Sequence, residues 1–516
     1  MSQQPTNLLY LFLASAPILT LLFTMIYLKW KSKLAGIVSW FLAALLAFYF
    51  FGITGQGFLV ACGKGLTLSI FVLLIIWSAV ILYNLVDQVG ALKIISKYMV
   101  SFNKDRLLQV LLMSWCFASF IQGIAGFGVP VAIVAPLMVG MGFSPLVSVT
   151  TTLIGHSWSV TFGSMASSFF TLRLVTSLPE QELAFWLSIL FLVPILICGL
   201  SVSHIYQGWK GIKKGYPTIL LVTAVMGFSL WFFTTLGAVQ VGSVMAGLLG
   251  TITIIVFSIF KRKKRLAVKK ESGEMDFKLA IFPYFILIST IIFFQIEPIR
   301  EFLKGYKIAF SFPEVVTSLG YMVPAEEAYA AIRLFAHPAP FILLATIIGA
   351  LKYKKMGYLH NKMIKNIRAN TLKQCIPTTI SMSFMVMMAL IMNDSGMTTT
   401  VASGVASFTG SMYPIFAPFI GVLGSFMTGS NTNSNILFGA FQKQVALNLG
   451  VSTFIIAGAQ SVGGSLGSAV APAKALLGAS TVGIVGSEGE IIKKTLSYCM
   501  LNVFILGVIT WLMVNL

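Results

Sequence analysis

The sequence predicts an all-α polytopic membrane protein, with about twelve transmembrane helices plus two re-entrant hairpins in inverted-topology repeats. Three observations lead there. The 516 residues are 57% hydrophobic and only 10% charged, against about 25% charged in soluble globular chains. Apolar runs of roughly 18–25 residues follow one another, the length that crosses a hydrocarbon core. Two of these runs are interrupted at matching places: Ser119–Pro130 (SFIQGIAGFGVP) is loosened by glycines and a proline, and Thr428–Asn435 (TGSNTNSN) is crowded with hydroxyls and amides. Irregular backbone at bilayer depth is tolerated only where protein or a water-filled cavity satisfies its N–H and C=O groups.

Taken in order, the first apolar run, 8–28, has no basic residue before it and no small-residue cleavage site after it, so it reads as a retained span and not a signal peptide. Basic clusters then set the topology, because Lys and Arg favour cytoplasmic loops. They are Lys29, Lys31 and Lys33; Lys93, Lys97, Lys104 and Arg106; Lys210, Lys213 and Lys214; Lys261 to Arg265; Lys352 to Lys373; and Lys493 with Lys494. This pattern places both termini outside the cell membrane. A loop over 295–338, carrying Glu297, Glu301, Glu314, Glu326 and Glu327, then falls outside as well. Parity demands a hairpin entering from inside at about 107–141 and one crossing at about 145–170, followed by a span at 184–203.

The second half mirrors this. A span at 376–392 leads outward, a hairpin at about 413–450 enters from outside, 453–486 return through a Gly-rich interrupted helix, and 495–514 end outside. The chain thus divides into a first transmembrane repeat (1–216), a connecting helix pair with a basic loop (217–278) and a second, inverted repeat (279–516). The basic segment 352–374, with Met356, Leu359, Met363 and Ile367 at helical spacing, is expected to lie along the cytoplasmic interface.

Composition also excludes functions. The formal charge of +20 sits mostly in loops between spans, so orientation explains it and nucleic acid is not expected as a partner. The five scattered cysteines, Cys62, Cys116, Cys198, Cys375 and Cys499, show no metal or disulfide spacing. No G-x-x-x-x-G-K-[ST] loop, paired catalytic carboxylates or Ser-His-Asp set is present. The expectation is therefore a transporter, not an enzyme or an ATP-driven pump, with no cofactor and no metal. Membrane lipid surrounds it, and the sequence leaves a homo-oligomer open.

The two breaks supply what a small organic anion needs when it loses water: helix N-termini with N–H groups and a positive dipole end. Gly123, Gly126 and Gly128 allow close backbone approach, and Gln122 and Phe127 flank them. Pro130 suits a first helical turn. In the second break Thr428, Gly429, Ser430, Asn431, Thr432, Asn433, Ser434 and Asn435 offer neutral donors and acceptors. Gln460 and Lys474 in the interrupted helix complete the substrate-binding set. His156 is open as a proton carrier or a packed histidine, Lys474 as a partner for a carboxylate or a snorkelling cation, and Asp394 as an interfacial cap or a proton site. A channel is an alternative, since re-entrant loops serve both, but opposed breaks favour alternating access.

At these residues the chain resembles the lactate permease family. Gln122–Ile133 (QGIAGFGVPVAI) is similar to that family's E-G-x-A-G-F-G-x-P-V-A-I segment, and Thr428–Phe438 (TGSNTNSNILF) to its T-G-S-D-T-S-S-N-x-L-F segment. Phe162–Met165, Gly463-Gly464 with Pro472, and Val482–Gly486 match shorter ones. The resemblance covers most of the chain. It implies uptake of lactate or a related 2-hydroxymonocarboxylate, with proton symport as the usual coupling. The family's Glu is Gln122 here, its Asp is Asn431, and its late Lys aligns with Ser468, six positions before Lys474. With both acids replaced by amides, the coupling ion is open among a proton on His156, sodium at Ser430 and Asn431, and none. Dicarboxylates and sulfonates remain alternative substrates.

Overall fold

In a computed structural model the protein is described over residues 8–100, 105–126, 128–261, 274–294, 296–303, 305–335 and 337–516. It is a bundle of helices. Ten among the described residues are long and apolar enough to cross a membrane, or eleven if the pair Thr453–Val470 and Pro472–Thr481, bent by 41°, is one span. The expected tally of about twelve is approached by two features. Glu180–Thr235 runs on as one helix through a break at Gly208, where φ is 60°. Pro338–Lys355 ends on Lys352, Lys354 and Lys355, charges that keep its last turn out of an apolar window. Large apolar side chains such as Phe12, Tyr49, Leu59, Phe228, Phe408 and Phe504 stand exposed, which suits a surface solvated by lipid and not water.

Two long helices pack against each other. Gly55–Gln88 and Asn361–Asp394 are each 34 residues long, about 50 Å at the α-helical rise. They pack antiparallel: Trp77 Nε1 donates to Thr379 Oγ1 at 3.0 Å and Asn84 Nδ2 to Thr371 Oγ1 at 3.0 Å. At the other end Gly65 lies against the backbone of Met387, the close approach that small residues permit between membrane helices. Thr54 caps the first of the pair by accepting from Gly57 N.

The order of elements recurs. Leu8–Ile26, Ser32–Tyr49, Gly55–Gln88 and Ala91–Val100 precede a broken pair, Arg106–Ile124 and Val129–Gly140, then a broken span, Pro145–Thr176, and the first limb of Glu180–Thr235. Later, Phe277–Phe294, Pro338–Lys355, Asn361–Asp394 and Met397–Thr409 precede Tyr413–Thr428 and Asn431–Leu449, then Thr453–Thr481, and finally Glu488–Asn515. The second limb of Glu180–Thr235 and Gly242–Lys261 lie between the two series.

Four expectations are corrected. The segment 352–374 is not one amphipathic helix: Lys352–Lys355 end Pro338–Lys355, 356–360 are turn and coil, and 361–374 are the first turns of Asn361–Asp394. The stretch 295–338 is not only loop: Lys307–Phe312 pairs with Glu326–Arg333, and Val315–Val316 with Met322–Val323, where β-branched and aromatic residues alternate. Residues 204–216, read as a basic loop, are helical on both sides of Gly208. Asp394 is not an interfacial cap. It is 3% exposed and lies 3.8 Å from Lys64 Nζ, which also meets Glu326 at 3.0 Å.

Candidate functional site

Both expected breaks exist. In the first, Arg106–Ile124 (with a π-helical turn at Leu111–Phe117) stops at Ala125, whose φ of −138° is extended. Gly128, at φ 84°, then starts Val129–Gly140 with Pro130 in its first turn. The left-handed φ costs glycine little and other residues more. In the second, Gly429 at φ 70° ends Tyr413–Thr428, and Ser430 caps Asn431–Leu449 by accepting from Asn433 N at 3.4 Å. Thr428 Oγ1 accepts from Ser430 N and holds the turn shut.

Two further breaks lie between these. Pro145–Gly155 passes through His156 and the short turn Ser157–Ser159 to Gly163. Ser164, Met165 and Ala166 then take left-handed φ values of 47°, 54° and 60° while buried. Such positions cost non-glycine residues about 1–2 kcal/mol each, and strain of this kind gathers at functional sites. Thr453–Gly467 likewise yields through Ser468–Val470 and the extended Ala471 to Pro472–Thr481.

The four breaks meet. A Cβ on Gly126 would collide with Ser164 Oγ, and one on Gly163 with the amide of Gln122. From the second break, Asn431 Nδ2 donates to Thr161 Oγ1 at 2.9 Å, and Asn435 Nδ2 donates to Ser168 O at 3.0 Å and to Ser461 Oγ at 2.9 Å. Ser168 and Thr432 hydroxyls pair at 2.9 Å. Ser465 Oγ donates to Ser157 O at 2.6 Å and accepts from Val160 N. Both breaks also touch the N-terminal half of Pro472–Thr481: Gly128 lies against Lys474 and Leu477, and Gly429 against Ala473.

Lys474 is 7% exposed and has no carboxylate partner among the described residues. It sits in the first turn of its helix, where the dipole end is positive and a cation is disfavoured. Several acceptors also lack donors: Gln122 Oε1, Asn431 Oδ1, Asn435 Oδ1 and His156 Nε2 are buried without a partner among the described residues. Asn431 Oδ1 and Ser425 Oγ border Gly464, where any Cβ would fill the space beside them. A void of about 10 Å³ lies beside Gly126, against Tyr83 and Gln374 of the two long helices, room for about one water.

Of the expected site residues, Gln122, Gly126, Gly128, Asn431, Thr432, Asn435 and Lys474 converge. Ser434 and Gln460 bond each other, Gln460 Nε2 donating to Ser434 Oγ at 3.0 Å. They stand behind the tip, where Gln442 joins them through Gln460 Oε1 and Tyr413. Gly123 packs against the backbone of Val244 and serves helix contact. Thr428, Ser430 and Asn433 are half-buried and bond their own turn. His156 Nδ1 pairs with Thr152 O at 2.5 Å. Phe127 lies outside the described residues. Sequence reasoning did not single out Lys64 or Gln442; the signal available was a lone polar group inside an apolar run.

The L-lactate permease family model matches residues 11–516. The chain is 28% identical over 531 residues to the L-lactate permease of Escherichia coli (strain K12), covering 97% of this chain and 95% of that protein. It is 27% identical over 547 residues to the glycolate permease GlcA of the same organism, covering 97% and 94%. Among solved structures, the YdaH transporter of Alcanivorax borkumensis is similar at a TM-score of 0.45 and 13% identity, over 86% of this chain and 84% of that one. With a family match spanning nearly the whole sequence and a multi-pass helical fold, the chain belongs to the L-lactate permease family.

Proposed function

We propose that the protein is a secondary transporter of lactate or a related small 2-hydroxymonocarboxylate across the cell membrane. One observation carries the reading: the first break at Gly128 and the second at Gly429 both meet the helix that carries Lys474, at Lys474 and at the neighbouring Ala473, and Lys474 is a buried cation with no carboxylate partner among the described residues. Helix N-termini and an ammonium together replace the hydration of one carboxylate. The orphaned amide oxygens of Gln122, Asn431 and Asn435 are acceptors suited to the hydroxyl of a 2-hydroxy acid. The names of the E. coli relatives, a lactate and a glycolate permease, support the same substrate class.

The recurring element order supports two repeats, 1–216 and 279–516, joined by 217–278, of inverted topology with both termini outside. On this reading the broken pairs are re-entrant, and the site opens to one side at a time when one wall moves. Coupling is to an ion. Proton symport is what the family resemblance implies, yet Gln122 and Asn431 carry no titratable proton. Sodium is the second reading, favoured by the same buried amide oxygens, since hard cations take oxygen ligands.

Radiolabelled lactate uptake into proteoliposomes tests both parts. Saturable uptake competed by glycolate is expected, driven by an imposed proton or sodium gradient. Absence of lactate uptake with transport of a dicarboxylate or sulfonate would reassign the substrate, and currents far above carrier turnover would point to a channel.

A further inference from the structure

A second basic cavity lies away from the hairpin tips. It has a volume of about 440 Å³ and is lined by the β ribbon Lys307–Phe312 with Glu326–Arg333, by the end of Pro145–Thr176, and by Gln240. Three cations face it: Arg173, Lys307 and Arg333. Glu180 balances only Arg173, at 3.3 Å. Lys307 and Arg333 are direct cross-strand partners, an arrangement in which like charges repel, and neither has a carboxylate in ion-pair reach among the described residues. Gln240 is 1% exposed, and its Oε1 has no donor. A carboxylate between the two cations removes the repulsion. The cavity also connects mechanically to the tips. Arg173 and Phe170 line it, while Ser168 on the same helix bonds Thr432, about 7.5 Å along the axis from Arg173.

We infer that this cavity is a vestibular binding site for a small hydroxycarboxylate, which Lys307 and Arg333 capture before it reaches the hairpin tips. It rests on the small-anion reading of the tips, and its test separates the two. Labelled lactate binding is measured on the purified full-length chain carrying Asn431→Ala. Binding displaced by glycolate is expected, and it disappears when Lys307→Gln and Arg333→Gln are added. In the otherwise native chain in proteoliposomes, the same two substitutions raise KM for uptake by about ten-fold, the scale of electrostatic capture, and leave the maximal rate in place.

Loss of all lactate binding with Asn431→Ala, or an unchanged KM in the Lys307→Gln, Arg333→Gln chain, overturns the vestibule while leaving the tip reading intact. No lactate uptake by the native chain, with small carboxylates still bound through Lys307 and Arg333, overturns the tip reading and supports the vestibule. Binding competed by phosphatidylglycerol vesicles and not by glycolate assigns the cations to a lipid phosphate and ends the proposal. If the paired substitution prevents folding, Lys307→Gln alone removes one cation, and an unchanged KM in that variant is equally fatal.

Discussion

Gly464 stands beside Asn431 Oδ1, and the three nearest atoms a Cβ there would meet belong to the side chains of Asn431 and Ser425. Gly464→Ala is therefore expected to leave the helix intact, because alanine is the better helix former, while displacing the Asn431 amide. Lactate uptake should fall by at least about ten-fold, the loss that a misplacement near 1 Å brings to a reacting or binding group, with the thermal midpoint in detergent unchanged. Normal uptake would remove Asn431 from the site. Restoring the family's acids gives a complementary test. Gln122→Glu with Asn431→Asp places titratable carboxylates where the amides now sit, and uptake should become steeper in the inward proton gradient than in the native chain. The two positions were legible as motif residues, as was Asn435; the partners, Thr161 for Asn431 and Ser168 with Ser461 for Asn435, were legible only as polar residues on neighbouring segments, since nothing local says which hydroxyl meets which amide.

Single elements show a different kind of strain. Ser164, Met165 and Ala166 hold a left-handed turn without a glycine. Ala166→Gly, which normally costs about 1 kcal/mol in a helix, should here be neutral or stabilising by about 1 kcal/mol, because the left-handed penalty is relieved. The midpoint of thermal unfolding checks it, and a loss of the usual helical size would mean the turn is right-handed. The motif match at Phe162–Met165 marked this position, but nothing in the sequence marked its left-handed geometry, because ordinary side chains adopt it only when packing over-determines them.

At the start of the first broken pair, Asp105 accepts from Leu107 N at 3.0 Å and meets Lys214 at 2.7 Å. Burial raises its carboxyl pKa, but the hydrogen bonds and charge of Lys214 and the backbone N–H of Leu107 outweigh this and hold it below the ordinary value. A carboxyl depressed on folding adds stability above its unfolded pKa and loses it as pH falls through the folded one. Asp105→Ala should thus cost about 1 kcal/mol at neutral pH, as lost N-caps do. The difference from the native chain should vanish as pH falls below the carboxylate range.

The two antiparallel long helices pack along each other, and among the described residues a polar contact joins them to the β ribbon. Lys64 lies between Glu326, at 3.0 Å, and Asp394, at 3.8 Å, with Tyr329 against its ammonium. Removing one member of a buried ion pair costs about 3–5 kcal/mol, whereas replacing both is often neutral. Lys64→Met should lower the unfolding midpoint strongly, and adding Asp394→Asn should recover most of the loss. Equal destabilisation by the single and double variants would show that the pair is not what holds this junction.

Hydropathy, basic clusters and two polar interruptions determined from sequence alone that this is a multi-pass helical membrane protein and where its backbone breaks, because both properties are dictated by local composition against a fixed bilayer thickness. The tertiary structure alone decided that Gly128 and Gly429 meet one helix N-terminus at Ala473 and Lys474, and that Asn435 bonds Ser168. It also decided that Lys64 pairs with Asp394 and that Lys307 opposes Arg333. Most of these partners lie hundreds of positions apart, so only packing of the assembled helices selects them.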